Sequence, residues 1–246
     1  GTETDGSIVS PATRCGVTGL RPTFGRVSRA GAMALSWSMD KLGPLCRSVE
    51  DCALVFAAMH GADPGDPSAV DAPFAWQPEA DPKKLRLGYV KAFFEAAPPE
   101  GLTEVQLASF QEGQRNDRRT LETLEGMGFS LIPVELPTDL PLRALSFILS
   151  AEAAAAFDEL TRGNRDDLLA RQEEAAWPNV FRQSRFIPAV EYIQANRVRS
   201  LLLTRMAAVM KQVDAYVVPS TGNDNLVLNN LTGHPAVVLP NGFRQD

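Results

Sequence analysis

Histidine is nearly absent from this sequence, with only His60 and His234 among 246 residues. That supply leaves little material for a histidine-based triad, and no HExxH pattern or other metal cluster occurs. Cysteine is also rare. Cys15, Cys46 and Cys52 make an odd count without the CxxC spacing of metal sites, and they read as reduced, buried thiols of a cytoplasmic chain. Lysine is scarce, five against 19 arginines, and 30 acidic residues outnumber 24 basic ones for a net charge of −6. The clustered basic face of a nucleic-acid binder is missing, so no direct nucleic-acid contact is expected. No apolar run reaches the length of a transmembrane helix, and no membrane association is expected. A GxGxxG after a strand and a GxSxG elbow are both absent, which argues against a dinucleotide site and an α/β-hydrolase nucleophile. No cofactor is expected.

What is present is ordinary globular usage, 44% hydrophobic and 22% charged. The length suits one large domain, residues 1–246, in four segments. Residues 1–61 are broken by Gly16, Gly19, Gly25, Gly31 and Gly43, which suits tight loops and short strands rather than long helices. Ser48 caps a helix whose apolar face is Val49, Cys52, Val55, Phe56 and Met59, with His60 at its C-terminus and Gly61 after it. Residues 62–82, dense in Pro and Asp, read as an exposed connection. Residues 83–212 open on a strand (Leu85 to Val90), a helix capped by Thr103 and Gln106 and running to about Met127, and a second strand (Phe129 to Leu136). That order is a parallel βαβ unit. Two or three helices should follow, the last with the face Val190, Ile193, Val198, Leu201, Leu202, Val209 and Val213, and with Arg197 and Arg199 in solvent. Residues 213–246 carry buried strands at Ala215–Val218 and Ala236–Leu239. The class predicted is α/β, a mixed central β-sheet flanked by helices. Dense Gly, Thr and Ser from residue 1, and a strand-and-turn signal close to Asp246, suggest a piece of a longer protein cut at both ends. Poor stability in isolation is then expected.

The densest chemical signal is the opening run Gly1-Thr2-Glu3-Thr4-Asp5-Gly6-Ser7-Ile8-Val9-Ser10-Pro11-Ala12. Small residues let a loop approach a substrate and let successive N–H groups converge on an anion. By composition alone the run is a Ser/Thr-rich turn. Continued through Cys15-Gly16-Val17-Thr18-Gly19-Leu20-Arg21-Pro22-Thr23-Phe24-Gly25-Arg26-Val27-Ser28-Arg29, it resembles the nucleophile segment of the amidase signature family. Ser38-Met39-Asp40-Lys41-Leu42-Gly43-Pro44-Leu45 with Arg47-Ser48-Val49-Glu50-Asp51 resembles that family's next block. Asp214 to Ser220 and Asn230-Leu231-Thr232-Gly233-His234-Pro235-Ala236 resemble its C-terminal core.

The resemblance implies a Ser–cis-Ser–Lys amidohydrolase that cleaves a carboxylic amide through a serine acyl-enzyme. It places Ser7 on the nucleophile and the backbone amides of Thr4, Asp5, Gly6 and Ser7 on the oxyanion hole. The bridging Ser and the Lys belong to motifs upstream of the nucleophile, so neither is assigned; Ser10 and Lys41 are not put in their place, and residues 1–246 alone should be inert. The implied partner is a small-molecule amide, with assembly as a homo-oligomer or with amidotransferase subunits. Within the same family stands the glutaminase subunit of the tRNA-dependent amidotransferase, and a non-catalytic module is a third reading.

Two positions depart from the family's pattern. Asp5 replaces a common Gly beside the oxyanion amides and should point away from them. Val9 replaces a common Arg, which leaves Glu3 in need of another donor. The SxxK match at Ser38–Lys41 lacks the companion SDN and KTG motifs of penicillin-recognising enzymes. His234, before Pro235, reads as a turn residue.

Overall fold

The computed structural model describes residues 1–221 and 223–243; Gly222 and residues 244–246, in the C-terminal segment 213–246, lie outside them. The first 61 residues form short pieces: β1 (Thr2–Glu3), α1 (Val9–Cys15), β2 (Thr18–Arg21), β3 (Lys41–Leu42), β4 (Leu45–Cys46) and α2 (Val49–Met59). Helix α1 is not legible in the Ser/Thr-rich run. Pro11 sits in its first turn, where a missing N–H breaks no helical bond. The Ser48 hydroxyl accepts from Asp51 N–H at the start of α2, as the sequence indicates. The buried side of α2 is Cys52, Ala53 and Phe56, whereas Val49 and Val55 are exposed, so the apolar face is narrower than its spacing suggests.

Residues 62–82 cross the surface but are strapped down. The Asp66 carboxylate is buried, accepts from Arg29 at 2.9 Å and is held well below the usual carboxylate range by that hydrogen bond. Arg26 reaches the Ala72 carbonyl at 2.8 Å. Next come β5 (Leu87–Tyr89), α3 (Lys91–Phe94), α4 (Glu104–Gly126) and β6 (Ile132–Pro133). The Thr103–Gln106 capping box of α4 forms in both directions.

Four α-helices, α5 (Phe147–Ala156), α6 (Asp158–Arg162), α7 (Trp177–Ser184) and α8 (Ala189–Met210), replace the two or three expected. Pro188, immediately before α8, separates it from α7. On α8 the buried residues are Ala195, Leu202, Met206 and Val209, while Val190, Ile193 and Leu201 are exposed. The last elements are β7 (Ala215–Val217), α9 (Asn225–Thr232) and β8 (Ala236–Val238).

The α/β class holds, and its parallel and antiparallel pairings are distributed over three sheets among the described residues. The order β6-β5-β7 is parallel, which makes the βαβ unit; β4-β2-β8 is antiparallel, and β1 pairs antiparallel with β3. The main core joins Ile148 of α5, Leu202 and Met206 of α8, and Leu228 and Leu231 of α9, all at 0% exposure. A smaller cluster of Val9, Ala12 and Val238 seats α1 on β8. Gly43 lets the turn after β3 pass over β2: a Cβ there would stand 2.0 Å from the Leu20 carbonyl oxygen. Of the cysteines only Cys52 is buried; Cys46 is half-buried and Cys15 exposed, because Cys15 closes α1 on its solvent side.

Candidate active site

Register between β1 and β3 places Glu3 opposite Lys41. Glu3 is 1% exposed, and its carboxylate takes four donors. One oxygen accepts the N–H groups of Ile8 and Val9, both at 2.8 Å. The other accepts from the Arg21 guanidinium at 2.6 Å and the Asn230 amide at 2.9 Å. Burial alone would raise the Glu3 carboxyl, but the Arg21 charge and these hydrogen bonds outweigh it and hold the group below its ordinary value. Arg21 is therefore the donor that Val9 does not supply. Its second amino group continues to the His234 carbonyl at 2.9 Å.

Residues 4–7 are thus a short loop pinned at both ends by one carboxylate. Gly6 adopts φ +136°, where a side chain would be strained and a Cβ would meet Leu226 at 3.1 Å and the Ser10 hydroxyl at 3.2 Å. Gly6 O accepts the Ser10 N–H at 2.8 Å and anchors the loop to α1. The N–H groups of Thr4, Asp5, Gly6 and Ser7 donate to no acceptor among the described residues, and the exposed Ser7 hydroxyl makes no hydrogen bond there either. Four free amides beside one free hydroxyl can hold an oxyanion next to an attacking oxygen. Asp5 faces solvent, and partial burial with the Glu3 charge pushes its carboxyl up, against Lys41 and Arg21.

A second set of hydrogen bonds runs from this loop into the helical half. The Thr4 hydroxyl donates to Asp40 at 2.6 Å, and Asp40 in turn accepts the Leu35 and Ser36 N–H groups. The Ser36 hydroxyl and Ser38 N–H donate to Glu152 of α5, at 2.5 and 3.0 Å, and the Tyr192 hydroxyl of α8 donates to its other oxygen at 2.7 Å. Burial works to raise the Glu152 carboxyl, but these donors hold it below its ordinary value. Burial and the neighbouring Glu152 push Tyr192 up to about 12. Arg199 binds the Ser38 hydroxyl and carbonyl and the Leu231 carbonyl. It is therefore a half-buried brace between α8, α9 and residue 38, a correction to its reading as a surface cation; Arg197 stays at the surface, on Gln194.

Lys41 is 3% exposed, with its ammonium on the Met39 carbonyl. Burial, with Arg21 and Arg199 nearby, lowers it to about 7, against the opposing pull of Glu3 and Asp40. His234 serves the turn, its ring on the Thr232 hydroxyl at 2.8 Å. Among the described residues no group of His, Cys, Asp and Glu could hold a metal, and no helix is long and apolar enough to cross a membrane.

Ser7 and its loop are visible in the sequence, whereas Arg21, Asn230 and Glu152 emerge only from the structure. The lone carboxylate of Glu152 among the alanines of α5 was the available signal.

A model of the Amidase family matches residues 1–239. The chain is 32% identical to the A-type component of the glutamyl-tRNA(Gln) amidotransferase of Geobacter sulfurreducens over 243 residues, covering 89% of this chain and 48% of that protein. It is 30% identical to an amidase of Pseudomonas putida, covering 100% of this chain and 56% of the relative. The crystal structure of the A-type component of the Thermotoga maritima glutamyl-tRNA(Gln) amidotransferase superposes with a TM-score of 0.73 at 24% identity, over 100% of this chain and 55% of that one, a likeness of fold. The chain spans about half the length of the curated relatives it matches. Motif order, profile match and relatives at this identity agree: the chain belongs to the Amidase family.

Proposed function

We propose that the protein containing this chain is an amidohydrolase that cleaves a carboxylic amide C–N bond through an acyl-enzyme on Ser7. The observation that carries this reading is a Ser7 hydroxyl at the end of four amides, none of them hydrogen-bonded among the described residues, in a loop that Glu3 clamps from both sides. The Ser7 oxygen attacks the amide carbon and gives its proton to a base, and the carbonyl oxygen becomes an oxyanion facing the amides of Thr4, Asp5, Gly6 and Ser7. The C–N bond then breaks as the nitrogen takes that proton, and water releases the acid. In this reading the bridging Ser and the Lys base come from sequence outside residues 1–246, in keeping with relatives about twice as long. Lys41 is tied to the Met39 carbonyl and belongs to the loop's support.

The relatives named as amidotransferase components favour a second reading, in which the amide is glutamine and the ammonia passes to a partner protein. Both readings share Ser7. The test is Ser7→Ala in the complete protein: ammonia release should vanish while substrate affinity stays near wild type, because the hydroxyl acts in the transition state. Retained turnover in Ser7→Ala would overturn both.

A further inference from the structure

Strand β2 gathers two of the three cysteines at one residue. Thr18 pairs with Cys46 across the β2–β4 register, and its carbonyl meets the Cys52 Sγ at 3.8 Å. That sulfur also lies against the thiol and the backbone N–H of Cys46. Residues 47–51 bring the two together by turning the chain from β4 straight into the Ser48-capped helix α2, which packs on β2 and β4. A disulfide demands Cβ atoms about 3.5–4.5 Å apart, and only cysteines whose side chains already converge meet that demand without backbone movement. Cys46 and Cys52 converge.

Their surroundings differ. Cys52 is 1% exposed, and burial with the adjoining Cys46 thiol pushes it up to about 11, so it stays protonated and out of reach of reagents in solvent. Cys46 is half-buried on β4, which has β2 on one side and no second strand among the described residues. An oxidant arriving from solvent therefore meets Cys46, and Cys52 meets only what Cys46 has become.

We propose that Cys46 and Cys52 are a redox pair, closed to a disulfide by hydroperoxides and reopened by thiols, that staples β4 to α2 over β2. The Cys46 sulfur takes a hydroxyl from hydrogen peroxide; the O–O bond breaks, and the other oxygen leaves as water with the thiol proton, giving the sulfenic acid. The Cys52 sulfur then attacks the Cys46 sulfur; the S–O bond breaks, and the hydroxyl leaves as a second water with the Cys52 proton. Two thiols are oxidised and one peroxide is reduced. The staple sits on the strand that ends in Arg21, the residue that clamps Glu3, so it secures the sheet behind the nucleophile loop. It does not depend on the Ser7 reading.

The test is hydrogen peroxide titration of the complete folded protein carrying Cys15→Ser, which removes the exposed thiol. Met33, 84% exposed, reports the dose through its sulfoxide. After free thiols are blocked, trypsin cuts at Arg47 and separates Cys46, in residues 42–47, from Cys52, in residues 48–83. Mass spectrometry should find these peptides joined, two hydrogens lighter than their sum, and parted by dithiothreitol. The joined form should also unfold at a higher urea concentration than the reduced one, because the cross-link restricts the unfolded chain. In Cys46→Ala, Cys52 should remain a free thiol at the same dose; in Cys52→Ala, Cys46 should proceed to the sulfinic acid, with circular dichroism unchanged in both. The proposal is overturned if the peptides stay separate once Met33 is fully oxidised. Oxidation of Cys52 undiminished in Cys46→Ala, or a joined form no more resistant to urea, would overturn it equally.

Discussion

Replacing Glu3 by Gln preserves shape and removes one buried charge, and the consequence should be large. Arg21 is 0% exposed and would keep its guanidinium in the interior with no carboxylate to face. Removing one partner of a buried pair costs about 3–5 kcal/mol, chiefly through the charge left behind. The amide also has one accepting oxygen where the carboxylate offers two, so either the Ile8 and Val9 N–H groups or the Arg21–Asn230 side loses its acceptor. Urea denaturation of the complete protein measures the loss. A double-mutant cycle with Arg21→Met isolates the pair, because the double variant leaves neither charge orphaned and should be markedly more stable than the sum of the single losses implies. The sign with pH follows from the lowered Glu3 carboxyl. The unfolded state takes up its proton first, so the pair's contribution is complete above the ordinary value of 4.5 and is lost as pH falls below it. A loss under about 1 kcal/mol for Glu3→Gln, or strictly additive single variants, would refute the reasoning that this pair sets the loop.

Two further outcomes follow from groups near the loop. Lys41, lowered from 10.5 to about 7, releases a proton in the folded state that the unfolded state still holds between those values. Stability should therefore rise with pH across that window by a contribution on the order of 5 kcal/mol, and Lys41→Met should flatten the rise in denaturation midpoints measured from about pH 6.5 to 9.5; an unchanged slope would contradict the buried amine. A thiol reagent under native conditions should label exposed Cys15 first and Cys52 last, since burial pushes the Cys52 thiol up to about 11; fast labelling of Cys52 would contradict the packing of α2 on β2.

Local signals are legible in the sequence because neighbouring residues decide them. The Ser48 cap, the Thr103–Gln106 box and the order of strand, helix and strand from residue 85 to 136 all appear in the structure. Helix α1 is hidden because its seven residues include Ser10, Pro11 and Thr13, and it is stabilised by packing of Val9 and Ala12 on Val238 rather than by propensity. The buried face of α8 differs from its spacing because apolar residues surround that helix, and only contacts from α5 and α9 decide which are covered. The same limit governs the site. Ser7 and its loop are contiguous and visible as a motif, whereas Glu3 finds Arg21 18 residues away and Asn230 227 residues away. A buried carboxylate with a missing partner is deducible from Val9; which cation replaces it is a matter of tertiary structure.

The most direct test of the central claim is stoichiometric labelling of the complete protein by a fluorophosphonate, in which the serine oxygen bonds to phosphorus and fluoride leaves. The expected result is one equivalent on the wild type, none on Ser7→Ala, and undiminished labelling of Ser10→Ala, because Ser10 lies within α1 with its N–H on the Gly6 carbonyl. Labelling kept by Ser7→Ala and lost by Ser10→Ala would contradict it.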